Sequence, residues 1–178
     1  FMVRIFLVAA MLVTTGLASP PARADDCLLD VNNDGDADSN VDTDHGANSD
    51  GDDDRLACGR LAAASAPLAT AIGAQSDASG QSAIAIGALA RASAEGSTAM
   101  GGDSDPATAG GDSDGQAAWA RGIYSTAIGS DSYAVRKYGV AVGHKAYAEG
   151  IGSLAFGTFN RATGTDAIAV GRSNTASG

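Results

Sequence analysis

Side chains able to do chemistry are few in this chain, and they fall in three places. The first is a run of acidic loops. Asp30-Val31-Asn32-Asn33-Asp34-Gly35-Asp36-Ala37-Asp38 sets oxygen ligands at alternate positions with a glycine at the sixth. Carboxylates converging around a glycine turn are what a calcium loop requires. Asn48-Ser49-Asp50-Gly51-Asp52-Asp53-Asp54 echoes the stretch from Asn32 to Asp38. The candidate Ca2+ ligands are therefore Asp30, Asn32, Asp34, Asp36, Asp38, Asn48, Asp50, Asp52 and Asp54. Val41 occupies the twelfth position, where a bidentate Glu would close the cage, so a solvated acidic linker is the competing reading. The second place is Cys27 and Cys58, the only two cysteines. The third is an aromatic set, Trp119, Tyr133 and Tyr147, with Lys137 and Lys145 at nearby turns. His45 and His144 are isolated from any triad or zinc spacing, so the sequence offers no catalytic constellation and reads as a non-enzyme.

Charge and composition place these groups in separate segments. Arg4, the apolar run Ile5 to Val13 and Ala22-Arg23-Ala24 read as a secretory signal peptide over residues 2–24, cleaved before Asp25. In an oxidising compartment the two cysteines are expected to pair, the alternative being that one or both are simply buried. Between Asp25 and Asp54 there are 12 Asp and no Lys or Arg; from Arg55 onward acids and bases balance at 9 each. Residues 25–55 therefore form an acidic, calcium-loop-like segment, and residues 56–178 a second unit. The net charge of −10 argues against a nucleic-acid partner.

The second unit is a repeat. Glycine recurs at 59, 73, 87, 101, 115, 129, 143, 157 and 171, a constant 14-residue spacing. Most of these anchors end an Ala-(bulky apolar)-Gly triplet, such as Ala85-Ile86-Gly87 or Ala141-Val142-Gly143. Counting from the anchor as position 0, position +3 is small or Asn, +5 is Ala except at Pro106, and Gly80, Gly122, Gly150, Gly164 and Gly178 recur at +7. A period of that length accommodates two short strands and two tight turns, which stack as a parallel solenoid at about 4.8 Å per coil. Alternation then predicts that the bulky residues at −3 and −1 (Ile84 and Ile86, Val140 and Val142, Leu154 and Phe156, Ile168 and Val170) point inward onto the small residues at +3 and +5. Positions −4 and −2 would form a smooth outer face, allowing close approach of another chain. Gly at 0 and +7 would occupy turns where positive φ is cheap. Trp119, Tyr133 and Tyr147 all fall at +4 and should stack into an exposed ladder. Such a ladder either stabilises the roll or its contact with another chain, or binds a ligand, since aromatics beside cations are enriched at interface hot spots. Asp112, Asp114 and Pro106 break the pattern, so the stretch 101–115 is a loop or a degraded coil and the weakest point of the rod.

The repeat resembles the YadA-type head of trimeric autotransporter adhesins. Ser125-Thr126-Ala127-Ile128-Gly129 and Gly143-His144-Lys145-Ala146-Tyr147-Ala148-Glu149-Gly150 carry the resemblance, which extends over about 57–178. It implies a left-handed parallel β-roll; with the repeat count this gives an all-β fold of about nine 14-residue coils, and the acidic loop-rich segment that precedes them is not part of the common head pattern. It further implies a homotrimer on a bacterial outer surface, binding host extracellular matrix or a cell-surface receptor. No coiled-coil stalk and no β-barrel membrane anchor is evident in this chain, so the expectation is a head truncated at its C-terminus or a secreted use of the module. The alternative function is a structural spacer without a receptor.

Calcium binding by the acidic loops predicts measurable heat when Ca2+ is titrated into residues 25–60. No heat at millimolar calcium leaves the solvated-linker reading.

Overall fold

A computed structural model describes residues 46–49, 54–103 and 117–178. Sixteen short strands alternate along the chain in two parallel sheets. The odd-numbered strands are β1 (Leu56–Cys58), β3 (Thr70–Ile72), β5 (Ile84–Ile86), β7 (Thr98–Met100), β9 (Thr126–Ile128), β11 (Val140–Val142), β13 (Leu154–Thr158) and β15 (Ile168–Arg172). The even-numbered strands are β2 (Ala63–Ala64), β4 (Asp77–Ala78), β6 (Arg91–Ala92), β8 (Trp119–Ala120), β10 (Tyr133–Ala134), β12 (Tyr147–Ala148), β14 (Arg161–Ala162) and β16 (Thr175–Ala176). Each coil gives one strand to each sheet, and equivalent residues pair in register, as Ala71 with Ala85 and Ala134 with Ala148. The parallel β-solenoid is thus as the repeat period requires. The stack also reaches back into the acidic segment, where Asn48 bridges Ala63.

Two turns close each coil, and both continue the ladder. The residues at +2 and +9 take left-handed backbone conformations whether or not they are glycine, as at Gln75 (φ 57°), Lys145 (φ 53°), Ser82 (φ 54°) and Tyr138 (φ 61°). That geometry aims each N–H along the rod. Gln75 N donates to Arg60 O at 2.8 Å, and Ser82 N to Pro67 O at 2.8 Å. These repeated bonds hold side chains in a backbone region they otherwise avoid. The anchor glycine matches expectation, with Gly87 at φ +122°. Position +7 does not. Gly122 has no positive φ; a Cβ there would strike the Arg136 carbonyl of the next coil, so glycine is required by close backbone approach.

Side-chain direction is opposite to the expected one. Ala71, Ala85, Ala99, Ala127, Ala141 and Ala155, all at −2, are fully buried, while Ile84 (38 % exposed), Phe156 (52 %), Ile168 (64 %) and Val170 (56 %) lie outside. The inward positions are −4, −2, +3 and +5. Among the described residues every buried hydrophobic side chain is alanine, and the largest fully buried side chain is Asn160. Serine serves equally well inside because the turns supply acceptors. Ser76 Oγ donates to Gly73 O at 3.0 Å, and Ser153 Oγ to Gly150 O at 2.8 Å. The expected packing of bulky residues on small ones fails because the small residues of both strands already fill the interior. The smooth outer face expected from positions −4 and −2 is instead the core.

The coil count also differs. β7 pairs with β9 and β6 with β8, so the stack steps directly from Gly101 to Gly129, and the described residues make eight coils against about nine expected. Gly129 N donates to Met100 O at 2.7 Å, and Tyr124 N to Glu95 O at 2.8 Å, across this step. Residues 104–116 lie outside the described residues. The phase survives because two whole periods separate the anchors.

Overpacking should therefore be costly at −2. Ala141→Leu is expected to lower unfolding free energy by about 1–3 kcal/mol in chemical denaturation. A smaller loss than that caused by Val142→Ala would contradict the observed facing.

Candidate functional site

The two outer faces of the roll differ in chemistry. The odd-strand face presents −3 and −1: Leu56, Thr70, Ile84, Thr98, Thr126, Val140, Leu154 and Ile168, with Cys58, Ile72, Ile86, Met100, Ile128, Val142, Phe156 and Val170. None of these 16 side chains carries a charge. A surface patch of that length without a charge is what an interface presents.

The even-strand face carries the polar groups. Parallel pairing sets Asp77, Arg91, Trp119, Tyr133, Tyr147 and Arg161 in one file at +4. The aromatic ladder is present: Trp119 and Tyr133 meet edge to face with centroids 5.2 Å apart, and Tyr133 and Tyr147 lie tilted at 6.4 Å. The guanidinium carbons of Arg91 and Arg121 each sit 4.9 Å from the Trp119 ring centre. Arg121 Nη1 also donates to the Tyr133 hydroxyl at 2.9 Å. At the far end Arg161 binds Glu149 through two bonds of 2.9 Å, which raise the Arg161 pKa further. Among the described residues the buried Trp119 Nε1 has no hydrogen-bond partner, so the indole presents its ring rather than its donor.

Sequence reading found the three aromatics but not their arginines. Arg91 and Trp119 stand two periods apart along the chain and become neighbours only because one period is left out of the stack. Arg161 was visible at +4, one coil beyond Tyr147. The two lysines do not join this file. Lys137 lies on the turn after the even strands, its Nζ 4.7 Å from the Tyr138 ring centre, and Lys145 on the opposite turn.

The turn bearing Lys137 holds a second aromatic pair that the sequence did not single out. Tyr124 and Tyr138 stack with an interplanar angle of 10° at 6.0 Å. The Tyr124 hydroxyl donates to Glu95 Oε1 at 2.7 Å, and that bond holds the phenol above its ordinary pKa. The signal was the shared +9 position of the two tyrosines. On the other turn, His144 Nδ1 lies 3.7 Å from the buried Asp131 carboxylate.

Of the nine candidate calcium ligands, Asn48 and Asp54 are among the described residues. Asn48 accepts from Ala64 N through its backbone carbonyl at 2.9 Å, and Asp54 lies 3.9 Å from Arg55 Nε. Asp30, Asn32, Asp34, Asp36, Asp38, Asp50 and Asp52 fall outside the described residues, as does Cys27. Cys58 stands on the first coil, paired in register with Ile72.

A family model described as the YadA head domain repeat matches residues 64–90, 78–104, 115–132, 137–160 and 162–178. No curated protein matches the chain. The matched segments contain Gly73, Gly87, Gly101, Gly129, Gly143, Gly157 and Gly171, anchors of coils that stack in the solenoid. With more than half of its length matched and the solenoid built on that repeat, the chain belongs to the YadA head-repeat family.

Proposed function

We propose that this chain is the head module of an exported, homotrimeric bacterial surface adhesin. Three rolls pack through their odd-strand faces, leaving the even-strand faces outward to meet a host matrix or cell-surface receptor. The observation that supports this most is the absence of charge from the 16 described residues at positions −3 and −1 of the odd strands. Ile168, Val170 and Phe156 are each more than half exposed in the single chain. Burying such a row removes apolar area from water at about 25 cal/mol per Å2. The alanine interior contributes little large apolar surface of its own, so association supplies what the thin roll lacks.

The opposite sheet has the composition of a contact surface, with one Trp, two Tyr and three Arg in and beside a single file. Aromatic and arginine side chains dominate binding hot spots. A Cys27–Cys58 bridge would tether the acidic segment to the first coil, and the acidic loops of that segment are proposed to take Ca2+.

Sedimentation of the exported chain at micromolar concentration is expected to give a trimer. The Ile128→Asp, Phe156→Asp double variant, altered only at outward positions, should give monomers with an unchanged β-sheet circular dichroism spectrum. A monomeric wild type, or a variant that still forms trimers, would overturn the packing proposed.

A further inference from the structure

Among the described residues the arginines around Trp119 carry more positive charge than their neighbours offset. Arg91 has Asp77 at 3.8 Å, and Arg161 is doubly bonded to Glu149. Arg121 has no carboxylate within ion-pair distance among the described residues; its recorded contacts are the Trp119 ring and the Tyr133 hydroxyl. Two guanidinium groups thus share one indole, each 4.9 Å from its centre. Like charges held this close repel, and a bound anion relieves the repulsion. A guanidinium stacked on a ring keeps its edge N–H groups free for carboxylate or sulfate oxygens. Arg121 spends one nitrogen on Tyr133, and its others make no hydrogen bond among the described residues.

Beyond this cationic end the file continues as Tyr133 and Tyr147, both half-buried, so each ring offers part of its surface outward. From Arg91 to Arg161 the file crosses five coils, roughly 19 Å along the rod at the usual strand spacing. A row of one ring per coil suits a ligand that itself repeats. A chain of pyranose rings advances by a similar step, and the C–H face of each ring is apolar enough to lie on an aromatic side chain. A densely charged nucleic acid is disfavoured by the chain's net charge of −10.

We propose that this file is the binding site of an acidic polysaccharide, with carboxylate or sulfate groups on Arg121 and Arg91 and sugar rings on Tyr133 and Tyr147. The proposal rests on the adhesin reading and names the class of receptor for its outer face.

The test is surface plasmon resonance of the exported chain on immobilised heparin, hyaluronan, neutral dextran and poly-glutamate. Heparin or hyaluronan should bind, more weakly as salt rises, and dextran and poly-glutamate should not. Arg121→Gln removes one charge-assisted contact and is expected to weaken binding about tenfold. Tyr147→Ser should weaken it through the sugar ring, while Arg172→Gln, exposed at the end of β15 and away from the file, should leave it unchanged. No binding to either acidic polysaccharide, equal binding to dextran or poly-glutamate, or an unaffected Arg121→Gln variant would overturn the proposal. Sedimentation of the same samples separates the two readings: trimers that bind no acidic polysaccharide remove this inference and leave the oligomer standing.

Discussion

The interior of this roll admits nothing larger than alanine, serine, glycine or asparagine, and the rest of the structure follows from that limit. Each coil turns twice, and its two short strands lie back to back. Side chains from both strands fill the gap with their β-carbons and hydroxyls. The usual logic of a core, in which large apolar side chains are hidden by the fold of their own chain, is unavailable. Valine, isoleucine and phenylalanine can be present only on the outside. Backbone hydrogen bonds carry the order along the rod, through both sheets and through the left-handed residues of both turns.

That constraint divides the surface into two unlike faces. Positions −3 and −1 of the odd strands took apolar residues, threonine and one cysteine without a single charge, Arg172 standing beyond them at the end of β15, and outward positions on the even-strand sheet took arginine, acids and aromatics. The first face needs covering, and a roll with no large core of its own has most to gain from covering it. The second face can remain wet, because its arginines hold its tryptophan through cation–π contacts and Arg161 holds Glu149 through a bidentate ion pair. In the function proposed, assembly and recognition fall on opposite sides of one thin element. A change on one side need not disturb the other.

The solenoid was legible because the anchor glycine, the Ala-(bulky)-Gly triplet and the small residues at +3 and +5 repeat in a fixed register. Their facing was not. Parity along a strand says which residues share a side; it does not say which side is inside. Volume decides that, and the decisive clue was that −4, −2, +3 and +5 are all small in coil after coil, enough to close the interior by themselves. The skipped period was half visible: Pro106, Asp112 and Asp114 marked the stretch as irregular, but a step of two periods leaves every glycine in phase. For the same reason the Trp119 file could be read while its contact with Arg91 could not. Glycine at +7 was visible as a requirement, but its cause, a carbonyl of the next coil, belongs to the stacking.

The account turns on the inside-out placement of side chains, and residue-specific thiol labelling of the assembled protein tests it most directly. Single cysteines at Ala127 and Ile128 report adjacent positions on one strand, with the modified site located by mass spectrometry. The prediction is that Ala127→Cys resists maleimide in both the assembled and the dissociated protein, whereas Ile128→Cys resists it only when assembled and reacts freely in the monomer. Ready labelling of Ala127→Cys, with Ile128→Cys protected in the folded monomer, would contradict it.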